Sequence, residues 1–294
     1  RCKGNGDYHR QVYDKKPVVQ IDYAFITKRK GDDDTTDDEA KAVPVLTGVD
    51  VTTGMALAAV VPKKGPSDYA CNELKRFLFE IGRTHAVLQA DQEPAIQALA
   101  RRVSAEVGIP LRKSPAYSSQ SLGSAERWHR QMWSLLRVIK ETVKENYKID
   151  LTPSHPIMTW ATKHAAWLQN RFQLHADGKT SYCRRWERDY IKPLVSFGET
   201  IVFKMNHTNG GKTDTKWDYG IWLGRCSTSD ENFIATKDTM WQARTLKRLP
   251  LQERYNAELF TAVKGVPWAV RGPAQDDTTD FILAADTTTT TTTP

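Results

Sequence analysis

The hydrophobic and polar pattern divides the chain into short apolar runs and amphipathic stretches from residue 17 onward. Residues 17–26 are rich in apolar and β-branched side chains and predict a strand. The acidic run from Asp32 to Glu39 follows as a solvated loop. Strands are expected at 43–51 and 55–61, joined by Thr52-Thr53-Gly54 as a hairpin turn. Ser67 offers an N-cap for a helix to about residue 81, where Gly82 lets the chain turn away. A short buried strand at 86–90, a helix at 93–107 stopped by Gly108, and a strand at 109–113 come next. The stretch 122–147 has no internal Pro and predicts a long helix, with Leu135, Leu136, Val138, Ile139 and Val143 on its buried side. On its other side Glu126, Arg130, Trp133, Arg137 and Lys140 recur at three- and four-residue steps. A further helix at 156–174 carries Trp160, Trp167 and Phe172 as packing residues.

The order β-β-β-α-β-α-β-α implies an α/β fold with a mixed five-stranded sheet flanked by helices. After Pro193 the pattern changes to short β-rich runs at 194–204, 219–225, 233–236 and 239–245, separated by Gly, Asn, Asp and Ser. These predict a small antiparallel barrel. The expected organisation is a lead-in at 1–16, a catalytic-type core at 17–175, a linker at 176–192, the β-barrel module at 193–250, and a low-complexity, largely disordered tail at 251–294.

Composition adds a partner. The formal charge of the 294 residues is +7, but six negative charges sit in the run 32–39 and four in the tail from Gln275, so the remaining body carries +17. A body that basic suits a polyanion such as nucleic acid, although an ordinary Lys- and Arg-rich surface would look the same. The four cysteines, Cys2, Cys71, Cys183 and Cys226, contain no CxxC pair, so neither a disulfide framework nor a zinc site is expected. No apolar run has the length of a membrane span, and no membrane partner is expected.

Three acids stand where such a fold places its chemistry. Asp22 lies in the run Val18-Val19-Gln20-Ile21-Asp22, Asp91 at the exit of Val87-Leu88-Gln89-Ala90-Asp91, and Glu126 at the opening of the long helix. Two strand ends and a helix start can assemble the hard oxygen ligands that Mg²⁺ or Mn²⁺ takes, and two such ions serve phosphodiester chemistry. Any one of these acids, taken alone, is what a strand or helix end commonly presents to solvent, and Glu126 also complements a helix dipole.

The segment Tyr117-Ser118-Ser119-Gln120-Ser121-Leu122-Gly123-Ser124-Ala125-Glu126-Arg127-Trp128-His129-Arg130 resembles the helix-opening motif of retroviral and LTR-retrotransposon (copia-like) integrases. Leu88-Gln89-Ala90-Asp91-Gln92-Glu93-Pro94-Ala95-Ile96 is similar to their second acidic motif, and the strand around Asp22 to the first. More loosely, Gly178-Lys179-Thr180-Ser181-Tyr182 resembles a segment that follows their core, and Phe197-Gly198-Glu199 through Trp222-Leu223-Gly224-Arg225 their β module. The resemblance implies a ribonuclease-H-like core, part of a retrotransposon polyprotein, followed by an SH3-like barrel. It also implies 3′-end processing of DNA and strand transfer through two Mg²⁺ or Mn²⁺ ions held by Asp22, Asp91 and Glu126.

The same resemblance implies DNA ends and target DNA as partners, a homo-oligomer, and a nuclear location with a cytoplasmic particle stage. Tyr117, Gln120, His129, Arg130, Arg137 and Lys140 are the candidate DNA contacts. The chain departs from the family in a gap of 34 residues between the second and third acids, one shorter than usual for the retroviral enzymes, in the acidic insertion, and in His129 where Asn is frequent. A transposase or nuclease of the same fold, and a decayed DNA-binding relic, stand as rival readings.

Overall fold

The computed structural model describes residues 16–27, 42–113, 123–205 and 215–269. The acidic run 32–39, the candidates Tyr117 and Gln120, lead-in residues 1–15 and the chain beyond residue 269 lie outside the described residues.

Strands β1 (Val18–Ile26), β2 (Val43–Asp50), β3 (Ala56–Val60), β4 (Val87–Ala90) and β5 (Leu111–Lys113) form one sheet in the order β3-β2-β1-β4-β5. The first three pair antiparallel, whereas β4 and β5 run parallel to β1. This is the mixed five-stranded sheet flanked by helices expected from the chain order. Alternation along β1 sorts the helices to two faces. Val19, Ile21 and Tyr23 pack with α1 (Asp68–Glu80) and α2 (Pro94–Val107), while Ala24 and Ile26 pack with α3 (Gly123–Tyr147) and α4 (Pro156–Phe172).

Local chemistry sets the helix ends. Ser67 Oγ accepts the Ala70 N–H at 3.2 Å to begin α1. Pro94 opens α2, and Gly108 closes it at φ 77, a left-handed conformation that other residues adopt only with strain. The buried stripe of α3 is Ala125, Trp128, Met132, Leu136, Ile139, Val143 and Tyr147. Val138, expected on that side, is 60% exposed, because it falls one position outside the three- and four-residue spacing. Phe172, at the end of α4, is exposed on one side but packs as expected against the rings of Trp167 and Tyr190.

Most of α4 is buried, because it is covered on one side by the mixed sheet and on the other by a second sheet. Its Asn170 amide donates to the Ala56 carbonyl at 2.7 Å and accepts the Ala56 N–H at 2.9 Å. Both backbone groups of an edge-strand residue are thereby satisfied.

The second sheet contains β6 (Thr200–Lys204), β7 (Trp217–Arg225), β8 (Asn232–Ala235), β9 (Met240–Ala243) and β10 (Leu246–Arg248) in the antiparallel order β10-β6-β7-β8-β9. Ile221, Leu223 and Ala235 of this sheet share one hydrophobic cluster with α3 and α4, so the core and the β module are packed together. Glu199, fully buried, is held by Arg248 at 2.6 Å and Arg254 at 3.5 Å.

Two segments differ from the sequence expectation. The linker at 176–192 contains α5 (Ser181–Trp186), started by Thr180 Oγ1 accepting the Cys183 N–H. Residues 251–269 are folded rather than disordered, with α6 (Ala257–Thr261) placing Phe260 against Tyr147 at a ring separation of 4.0 Å. One buried aromatic anchors a stretch whose polar composition gave no such signal. Among the described residues no helix is long and apolar enough to cross a membrane.

Candidate active site

The site is built on the α3 side of the mixed sheet. In the parallel register Ile21 stands beside Ala90, and both pack toward α1 and α2. The next residues, Asp22 and Asp91, therefore turn to the opposite face together, from strands that neighbour each other at about 4.8 Å. Asp22 is half-buried and Asp91 exposed at the strand exit. The Gln97 side chain, from α2, donates to the Asp91 carbonyl and at 3.4 Å to the Ala90 carbonyl, fixing where β4 ends.

The start of the helix that carries Glu126 is tied to the same strand. Gln20 lies two residues before Asp22 on the same face, and its Oε1 accepts the Ala125 N–H at 3.3 Å. This bond seats the first turn of α3 over β1; Glu126, the following residue, is exposed, and its charge acts on Asp22. Gln89, the register partner of Gln20, accepts from Arg112 Nη2 at 2.9 Å.

The charges act on one another. Burial above all raises the Asp22 carboxyl to about 6; the Tyr23 N–H, donating at 2.8 Å, opposes this, while the negative charges of Asp91, Glu93 and Glu126 add to it. Glu93 is thus a fourth carboxylate of the cluster. It is ion-paired with Lys64, whose ammonium lies 5.1 Å from the Phe25 ring centre. Glu93 falls inside the Asp91 motif, two residues on, and that proximity was the available signal. Nothing in the sequence marked Lys64, which reaches the site from the turn after β3.

His129 faces the sheet. Its Nε2 lies 2.8 Å from Thr47 Oγ1, and Thr47 Oγ1 donates to the Asp22 carbonyl at 3.0 Å. With the hydroxyl proton given to Asp22, the imidazole is the donor, and burial lowers its pKa, favouring the neutral ring. Arg130 and Arg137 are exposed, Arg137 donating to Ser134 Oγ at 3.0 Å. Lys140 lies 3.9 Å from Asp150.

Carboxylate oxygens clustered at the mouth of a sheet are the donor type that Mg²⁺ and Mn²⁺ take. The chemistry of the set therefore fits such an ion. Among the described residues, however, no group of three or more His, Cys, Asp or Glu is drawn close enough to hold a metal.

No protein-family profile matches the chain, and no curated protein does. Solved structures that it resembles are retroviral integrases. A chain of the simian T-cell lymphotropic virus intasome in complex with PP2A regulatory subunit B56 gamma aligns over 79% of this chain and 78% of that one, at 16% identity and a TM-score of 0.45. The catalytic core domain of BIV integrase aligns over 58% and 93%, at 17% identity and a TM-score of 0.38. The HTLV-2 integrase catalytic core domain in complex with magnesium aligns over 57% and 95%, at 16% identity and a TM-score of 0.39. At such values the likeness assigns no activity, and the chemistry of the site rests on its own residues.

Proposed function

We infer that the chain is a retrotransposon-type integrase core, a metal-dependent polynucleotidyl transferase that processes DNA 3′ ends and joins them to target DNA. What supports this reading is that the Ile21–Ala90 register and the Gln20–Ala125 bond put Asp22, Asp91 and the start of α3 on one side of the mixed sheet, with the charges of Asp91 and Glu126 acting on Asp22. Two divalent ions bound there by Asp22, Asp91 and Glu126 would activate the attacking oxygen and stabilise the leaving one.

The protein's own groups have separable roles. The Tyr23 N–H orients the Asp22 carboxylate, and Thr47 with His129 fixes the backbone that carries it. Arg130 and Arg137, exposed on the helix that begins at the site, supply phosphate contacts, with Lys140 beyond them. DNA ends and target DNA are the partners of this reading, in a homo-oligomer acting in the nucleus.

The test is a strand-transfer assay of the chain with Mg²⁺ and a preprocessed DNA end. Joined product from the parent and none from Asp91→Asn supports the reading. Hairpin or second-strand cleavage products instead of joining would assign a transposase-type or nuclease activity. Equal activity of parent and variant would overturn the metal-site assignment, and DNA binding without turnover under all divalent ions would mark a relic.

A further inference from the structure

Of the acids whose charges act on Asp22, Glu93 alone is in an ion pair among the described residues. Asp22 and Asp91 accept the N–H of the residue that follows each, at 2.8 and 2.7 Å. Glu93 stands at the N-cap of α2, yet its side chain makes no capping hydrogen bond there. A glutamate is a poor cap, and this one turns to the Lys64 ammonium instead, with the two side chains 32% and 37% exposed.

The ammonium is held in place by the turn that carries it. Gly65, the next residue, has φ 110, a conformation that L side chains rarely adopt, and its N–H donates to the Tyr23 hydroxyl at 3.0 Å. Tyr23 follows Asp22 on β1, so the Lys64 turn is tied to the strand that carries the first acid. Lys64 Nζ then lies 5.9 Å from the centre of the Tyr23 ring and 5.1 Å from that of Phe25. Side chains alternate along β1, so these two rings stand on the opposite face from Asp22, and Tyr23 packs with α1 and α2. Lys64 therefore draws Glu93 toward the α1 and α2 side, whereas Asp22 and Asp91 turn to the α3 side. Without Lys64, Glu93 would be an unpaired carboxylate two residues from Asp91. Mg²⁺ and Mn²⁺ take such oxygens, and one more negative charge attracts them further.

We propose that Lys64 is a positioning residue of the metal site: by holding Glu93 on the far face it keeps a fourth carboxylate out of the set, so that a divalent cation is shared by Asp22, Asp91 and Glu126. This role rests on the reading of those three acids given above. A cation drawn also by Glu93 would be bound more tightly, but away from the position that serves DNA joining.

The test titrates the full chain with Mn²⁺, followed by calorimetry and by the paramagnetic resonance of the unbound ion, beside the strand-transfer assay. Binding in the parent that Asp22→Asn removes marks the site. Lys64→Met should then bind Mn²⁺ about fivefold more tightly and join DNA about fivefold more slowly. Adding Glu93→Gln to Lys64→Met should bring the affinity back to within about twofold of the parent and restore most of the joining. Lys64→Arg, which keeps the charge, should resemble the parent. A chain merely destabilised by losing Lys64 would bind less metal, so a gain in affinity is not a folding defect. Mn²⁺ affinity unchanged or lowered in Lys64→Met, or a gain that persists with Glu93→Gln, overturns the proposal and leaves the metal-site reading standing. A parent without Mn²⁺ binding sensitive to Asp22→Asn overturns that reading, and this proposal with it.

Discussion

His129 Nε2 and Thr47 Oγ1 lie 2.8 Å apart, and the same hydroxyl donates to the carbonyl of Asp22. A helix residue one turn past Glu126 is therefore tied to the strand that carries the first acid, through a single hydroxyl. Removing the ring should loosen that strand and leave DNA affinity nearly intact. We expect His129→Ala to lower kcat of strand transfer about tenfold with KM for DNA little changed, and His129→Gln, which keeps a donor, to recover most of it. A rise in KM with kcat preserved would instead make His129 a DNA contact.

Asp22 gives the protein a pH signature. Its folded-state pKa is raised from 3.8 to about 6, so the stability tied to its protonation is fully present below its unfolded value and lost as pH rises through about 6. Asp22→Asn keeps the acceptor for the Tyr23 N–H and removes the charge. Chemical denaturation at pH 7.5 should show the variant more stable by about 1–3 kcal/mol, with the gain gone below about pH 4. A constant difference across that range would rule out the electrostatic origin.

The basic face of α3 should govern affinity without governing sequence preference. Binding of Asp91→Asn to duplex DNA should weaken steeply with salt, and Arg130→Ala and Arg137→Ala should each reduce the slope of log K against log salt by about 1. An affinity indifferent to salt would count against phosphate contacts on this face.

Glu199 is fully buried and depends on Arg248, which holds both its oxygens at 2.7 and 2.6 Å. Arg248→Met leaves the buried carboxylate with the more distant Arg254 and the Ser196 N–H, and a loss of about 3 kcal/mol in unfolding free energy is expected. The double variant with Glu199→Leu should recover much of that loss, because the uncompensated charge is then gone. No recovery would place the destabilisation elsewhere in the β module.

His164 is buried among Trp167, Phe197 and Trp222, and burial, helped by the Arg171 charge, pushes its pKa from 6.5 down to about 3. The fold then holds it neutral while the unfolded chain takes up a proton, so stability present above pH 6.5 is lost as pH falls toward 3. We expect His164→Phe to flatten this acid limb in thermal unfolding between pH 7 and 4. An unchanged slope would exclude His164 as its source.

The mixed sheet was legible because strand and helix periods differ, and because Ser67 and Gly108 mark helix ends by chemistry that acts locally. The positions of Asp91 and Glu126 at a strand exit and a helix start were legible for a related reason, since each element end has its own local signal. Glu93, Lys64, Thr47 and the role of His129 were not, since each matters through a partner far away in the chain. Phe260 shows the same limit: its stacking on Tyr147 organises residues whose composition pointed to disorder.

The sequence by itself determined the elements, their order and the acids at their ends, because these follow from periodicity and from residues acting on their own backbone. The tertiary structure alone decided which face those acids share. The Ile21–Ala90 register turns Asp22 and Asp91 to one side, the Gln20–Ala125 bond sets α3 above them, and packing against α4 joins the β module to the core. Such relations depend on distances between residues remote in sequence, which no local pattern encodes.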